Sequence, residues 1–255
     1  KILLNILGGG YSGRLYVVNP KYEVVQGVKS FRDVRDLPPC DLAIIAIPSV
    51  YCYDVVDILA GSKGTRAFII ISAGFSETGE GGRLLEKKIA ERVEEAGACL
   101  IGPNCIGVVT PSYHGVFTTP VPRLSERGCD FVSGSGATAL FIIESALSKG
   151  LTFSGVFSVG NSAQTGVEEV LEYWDLTFNP EVSSLIKLIY VESIANPDKL
   201  LHHASSLIRK GCRIAAIKAG TTEAGSRAAS SHTGALTSSD SAVEALFRKA
   251  GIVRC

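Results

Sequence analysis

The feature that most constrains this chain is a recurrence. Short, nearly continuous runs of Val, Ile, Leu, Ala and Phe alternate with stretches of helical periodicity from one end to the other. The runs at residues 15–18, 42–47, 67–72, 98–101, 129–132, 153–158, 184–191, 214–217 and 252–254 read as strands. A strand with one wet face alternates apolar and polar residues; these do not. They predict parallel strands covered on both faces, joined by helical crossovers, and therefore an α/β fold. Between Thr110 and Gly128 the pattern breaks, with Pro111, Pro120 and Pro122 and no helical period. That stretch reads as an interdomain connection. The expected division is a first domain over 1–122 and a second over 123–255, each an open sheet.

Each run ends in small or turn-forming residues: Ile47, Pro48 and Ser49; Ser72, Ala73, Gly74 and Phe75; Gly102, Pro103, Asn104 and Cys105; Ser133, Gly134, Ser135 and Gly136; Val159, Gly160, Asn161 and Ser162; Lys218, Ala219 and Gly220. Open parallel sheets bind ligands beyond the carboxyl ends of their strands, so the punctuation predicts one binding edge per domain.

Composition excludes several function classes. No apolar stretch approaches the ~20 residues that span a bilayer, so no membrane role is expected. The formal net charge is zero with no basic stripe, which argues against nucleic acid. Seven cysteines, odd in number and without metal-ligand spacing, predict buried thiols, no metal site and a reducing, cytoplasmic setting. The first eight residues read as a helix already under way rather than as a signal peptide. With no Met and both ends inside structural patterns, further residues are expected upstream and downstream.

Several residues carry candidate chemistry. His232 lies among small residues before a helical pattern. A neutral imidazole there, with an ordinary pKa of roughly 6.5, can accept a phosphoryl group and pass it on. The same setting suits a polar loop residue before a helix capped by Ser or Asp. Ser133, Gly134, Ser135 and Gly136 precede a helix, where backbone N–H groups, hydroxyls and the helix N-terminus form a phosphate cradle or a tight capped turn. Glu192 ends an apolar strand at the same edge. It can orient an imidazole by accepting its N–H, or open the next helix. Lys21 follows Pro20 at a strand end, where it meets a phosphate or solvent. Pro103 fixes the backbone beside Asn104, whose amide both donates and accepts. Cys105 has no basic neighbour in sequence and reads as a small neutral residue rather than a nucleophile. His202 and His203 sit in a helical pattern and read as surface residues rather than metal ligands.

As an ordered set these motifs resemble the α-type portion of the nucleoside-diphosphate-forming acyl-CoA synthetases, a group related to the succinyl-CoA synthetase α subunit. The carriers run the length of the chain, from Val18, Asn19, Pro20 and Lys21, through the loops quoted above and Glu192, to Ser231, His232, Thr233 and Gly234. The resemblance implies a Rossmann-like CoA-binding domain followed by a flavodoxin-like phosphohistidine domain. It assigns phosphorylation to His232, its orientation to Glu192, and phosphate binding to Ser133, Gly134, Ser135 and Gly136. Pro20, Lys21, Ile47, Pro48, Ser72, Gly74, Phe75, Pro103 and Asn104 lie along the implied CoA path. The implied reaction is acyl-CoA + ADP + phosphate ⇌ carboxylic acid + CoA + ATP. The implied nucleotide site, with ATP or ADP and Mg, belongs to an ATP-grasp β subunit or fused downstream domain, within a hetero- or homo-oligomer.

Three departures stand out. The strand and Gly-rich loop that open a Rossmann domain are not in the sequence, Gly134 replaces a bulkier polar residue, and nothing resembles an ATP-grasp site. Two other classes fit parts of the pattern. One is a non-catalytic CoA- or nucleotide-sensing module of a regulated acyltransferase, which would lack the transferable histidine. The other is a dehydrogenase, which would need a Gly-x-Gly-x-x-Gly loop after a strand.

Overall fold

The computed structural model describes residues 1–219 and 240–255. The chain opens with the helix α1 (Ile2–Gly8), as its periodicity predicts. Three short strands follow, β1 (Val17–Val18), β2 (Val24–Val25) and β3 (Val28–Phe31), forming a small sheet in the order β1-β3-β2. A second three-stranded sheet holds β4 (Leu42–Ile45), β5 (Ala67–Ile70) and β6 (Cys99–Ile101), all parallel. Their crossovers are α2 (Cys52–Ser62) and α3 (Glu80–Glu95). The helices bury Val56 and Leu59, and Ile89 and Val93, respectively, against Phe68, Ile70 and Leu100. That is the helical spacing of one buried face laid on strands wholly lacking polar residues.

The β1 and β4 strands each have one hydrogen-bonded neighbour strand, and between them lies a cavity of about 940 Å³. Its walls include Val17 and Val18 on one side and the whole of β4 on the other, with Leu37, Leu59 and Tyr113. The buried Tyr113 hydroxyl in this wall has no hydrogen-bond partner among the described residues.

The larger sheet has seven strands in the order β13-β12-β11-β9-β10-β7-β8. They are β7 (Gly107–Thr110), β8 (Tyr113–Val116), β9 (Leu124–Ser133), β10 (Phe153–Ser158), β11 (Ile186–Val191), β12 (Arg213–Lys218) and β13 (Val253–Arg254). The run from β13 to β10 is parallel, while β7 is antiparallel to β10 and β8 to β7. Covering helices are α4 (Gly136–Ser148), α5 (Val167–Leu176), α6 (Pro197–Arg209) and α7 (Asp240–Ala250). In α5, Val167, Val170, Leu171 and Trp174 recur at helical spacing and fill the core with Leu200, Leu207 and Phe247. Asn196 starts α6 by accepting from the Lys199 N–H at 3.0 Å, with Pro197 in the first turn.

The irregular stretch expected from Thr110 to Gly128 is partly regular. The last residue of β7, all of β8 and the first half of β9 lie in it, and all three strands belong to the larger sheet. Ser125, Glu126 and Arg127 are exposed at the start of β9, so this part of the strand carries no apolar run. The chain thus enters the larger sheet at Gly107, ahead of the division expected near residue 122. Among the described residues no helix is long and apolar enough to cross a membrane, and all seven cysteines are free.

Candidate active site

At the carboxyl edge of the larger sheet three adjacent strands end together. Tyr190 lies opposite Ser133 and Val191 opposite Lys218, which brings Ser133, Glu192 and Lys218 to one rim. The Ser133 hydroxyl is buried, accepts from the Ser135 N–H at 3.1 Å and donates to the Ser135 carbonyl at 2.8 Å. Gly134 donates its N–H to the Tyr190 carbonyl at 3.1 Å. Ser135 caps α4, accepting from the Thr138 N–H at 3.3 Å. The helix N-terminus places roughly half a positive charge beside this loop. A Cβ at Gly136 would come within 2.9 Å of the Ile106 Cγ2 methyl, so a side chain there would have to displace Ile106. At Gly134 it would lie 3.8 Å from the Glu192 N and Tyr190 O atoms, an ordinary contact. The loop is therefore next to Glu192, with space between them. Glu192 is half-buried. His232 and Gly220 lie outside the described residues.

Lys218 stands out in the sequence only as part of a strand-end motif, yet it is 4% exposed. It shares the buried face of β12 with Ile214 and Ala216, although the apolar residues 214–217 do not alternate in the sequence. Its ammonium donates to the Ala219 carbonyl. Burial pulls its pKa below the ordinary lysine value, with Arg254 acting the same way and Asp240 and Glu192 opposing.

The smaller parallel sheet presents its own stitched edge. The Ser72 hydroxyl donates to the Ile47 carbonyl, and the Asn104 N–H donates to the Ser72 carbonyl at 2.9 Å. Ile47, Ser72 and Asn104 are thereby brought together. Asn104 adopts φ 58° after the buried Gly102 and Pro103. Pro20 and Ile47 line the cavity beside β4, while Pro48 and Lys21 are exposed, Lys21 on a turn closed by the Asn19 side chain. The Phe75 ring is fully buried in the core, so only its backbone reaches the edge.

The backbone N–H groups of Gly74 and Phe75 donate to Glu77 at 2.6 and 3.2 Å, and that of Ser76 donates to Glu86 at 3.2 Å. Burial of Glu77 works to raise its pKa. Hydrogen bonds from Asn161, Gly74 and Phe75 outweigh it and hold the carboxyl below its usual range. Cys105 is buried, and desolvation pushes its thiol up to about 12, which keeps it neutral. His202 and His203 share one helix but not one environment. His203 is buried, with Nδ1 2.9 Å from Asp175, contrary to its expected surface position. Its carboxylate partner is on α5, 28 residues away in sequence.

A family model for a CoA binding domain matches residues 1–111, and one for a succinyl-CoA ligase like flavodoxin domain matches residues 126–255. The chain is 35% identical over 242 residues to the acetate–CoA ligase [ADP-forming] II subunit alpha of Pyrococcus furiosus, covering 94% of this chain and 51% of that one. It is 36% identical over 247 residues to an acetate–CoA ligase [ADP-forming] I of Archaeoglobus fulgidus, covering 95% of this chain and 35% of the relative. The chain therefore spans about a third to a half of these curated relatives. Among solved structures, an acetyl-coenzyme A synthetase 1 of Ca. Korarchaeum cryptofilum in complex with phosphate and ADP superposes with a TM-score of 0.89 at 30% identity. That match covers 100% of this chain and 54% of the other. The ATP citrate lyase of Methanothrix soehngenii, at 16% identity and TM-score 0.61 over 85% of this chain, shares the fold.

Proposed function

The chain belongs to the nucleoside-diphosphate-forming acyl-CoA synthetases, as their α-type portion, and from that premise we propose that it interconverts acyl-CoA, ADP and phosphate with carboxylic acid, CoA and ATP. A phosphate oxygen attacks the thioester carbon and CoA leaves as its thiol, giving an acyl phosphate. His232 then attacks phosphorus and releases the carboxylate. Finally the P–N bond breaks as the terminal oxygen of ADP takes the phosphoryl group. Phosphoryl transfer depends mainly on positioning and charge stabilisation.

The observation that carries this reading is the rim where the glycine-serine loop, capped onto α4, lies beside Glu192. In this proposal Ser133, Gly134, Ser135 and Gly136 hold phosphate and Glu192 orients His232. Pro20, Lys21, Ile47, Pro48, Ser72, Gly74, Phe75, Pro103 and Asn104 flank CoA, with Phe75 acting through its backbone. A nucleotide site with Mg on an ATP-grasp β subunit or fused domain, an oligomeric assembly and a cytoplasmic setting complete the proposal.

The test is phosphate incorporation from labelled ATP, with this chain and its ATP-grasp portion together. Acid-labile, base-stable label on the peptide containing His232 is expected, with at least a hundredfold loss in His232→Ala and CoA binding retained. Equal labelling of the variant would remove His232 from the mechanism.

A further inference from the structure

The loop after β10 runs from one expected binding edge to the other. At its start, the Val159 N–H donates to the Ser133 carbonyl at 2.9 Å, joining it to the glycine-serine loop. Gly160 then passes so close to the other domain, at φ 56°, that a Cβ would sit 2.2 Å from the Pro103 carbonyl oxygen. The Asn161 N–H donates to that carbonyl at 2.9 Å, and the Ala163 N–H donates to Gly102 at 3.1 Å. Gln164 extends the contact with its side chain. It accepts from the Leu100 N–H at 2.6 Å and donates to the Ala98 carbonyl at 3.3 Å, as a neighbouring strand would. This segment is a strap along the edge of β6.

Asn161 is its centre. The side-chain nitrogen donates to Glu77 at 2.6 Å and Glu86 at 2.8 Å, with the Ser76 hydroxyl at 3.1 Å. Its oxygen accepts from the Asn104 side chain at 3.3 Å. The orientation is chemically determined, because ionised carboxylates only accept. Those same two carboxylates hold the N–H groups of Gly74, Phe75 and Ser76. One amide thus ties the loop after β5, the loop after β6 and, through Val159, the loop after β9.

We infer that Asn161 is a positioning residue that sets the register between the CoA-side loops and the phosphate-side loop. The inference rests on the proposed function, because it matters only if acyl transfer occurs across this junction. Asn161 acts through Asn104, Glu77 and Glu86. Losing it shifts reacting groups relative to each other while each domain keeps its core, and a misplacement of about 1 Å costs on the order of a hundredfold in rate.

The experiment uses this chain with its ATP-grasp portion and follows two half-reactions. One is phosphorylation from ATP; the other is discharge of the phosphoprotein by CoA with whichever of acetate, 4-hydroxybutyrate or ferulate, the acids in the names of relatives 30–35% identical to this chain, serves the wild type best. Asn161→Ala should phosphorylate at the wild-type rate and bind CoA within about threefold, but discharge about a hundredfold more slowly. Asn161→Asp places a third carboxylate against Glu77 and Glu86 and should be slower still. Adding Glu77→Gln to it should recover at least tenfold. Wild-type discharge in Asn161→Ala, equal loss of both half-reactions, or no recovery in the double variant would overturn the role. A wild-type protein that takes no phosphate from ATP would instead sink the function on which the role rests.

Discussion

At the scale of the residue, the chain separates groups that look alike in sequence. Cys105 sits in a loop full of candidate chemistry, yet at 3% exposure, with its thiol pushed to about 12, it has neither access nor charge. Native protein treated with iodoacetamide at pH 8 should gain label at the exposed Cys255 while Cys105 stays unmodified. Its labelling should rise at least a hundredfold on unfolding, read by peptide mass. The absence of a basic neighbour made that neutrality legible in the sequence. Lys218 was not legible, since residues 214–217 are all apolar and nothing in them says which face of the strand is covered. Glu77 was not, because the amide that holds it arrives from the other domain.

At the scale of the element, the least expected feature is a charge inside the larger sheet. Lys187 lies in the middle of an apolar run and is 1% exposed. It pairs with Asp130 on the neighbouring strand β9 and sits 5.2 Å from the Trp174 ring centroid on α5. A buried ammonium is tolerated only with such partners. Asp130→Asn should cost about 3–5 kcal/mol in urea unfolding, since it leaves the cation buried and uncompensated. Adding Lys187→Met should restore most of that loss, because apolar replacement removes the desolvated charge altogether. If Asp130→Asn is as stable as wild type, the pair carries no structural weight. The α5–α6 contact has a similar character. Asp175 accepts from Lys210 at 2.7 Å and faces His203, so the expectation of two surface histidines failed at the one that helical phase turns inward.

At the scale of the whole molecule, the strap is one of several contacts that hold the smaller parallel sheet to the larger one, alongside the Asn5 side chain of α1, which donates to the Val116 and Thr118 carbonyls of the larger sheet's edge. The group that the strap grips is titratable. The Glu77 carboxyl is held below its ordinary value of 4.5. Its contribution to stability is therefore complete above that value and disappears as pH falls through the lower, folded one. The Tm of the wild type should exceed that of Glu77→Gln near neutrality, and the gap should close between about pH 5 and pH 3. A gap independent of pH would show that the charge plays no part in docking the domains. By itself the sequence determined the α/β class, the covering of strands on both faces, and the loops where chemistry gathers. Those features are local: double-sided burial leaves its mark on every residue of a strand, and a strand end needs small residues beside it. Only the tertiary structure decided that the hairpin at 107–116 joins the larger sheet, that a cavity separates β1 from β4, and that Asn161 latches onto Asn104, Ser76, Glu77 and Glu86. Those partners lie 57 to 85 residues from it along the chain. Hydrogen bonds across such distances follow from how two folded edges meet, which no local pattern records.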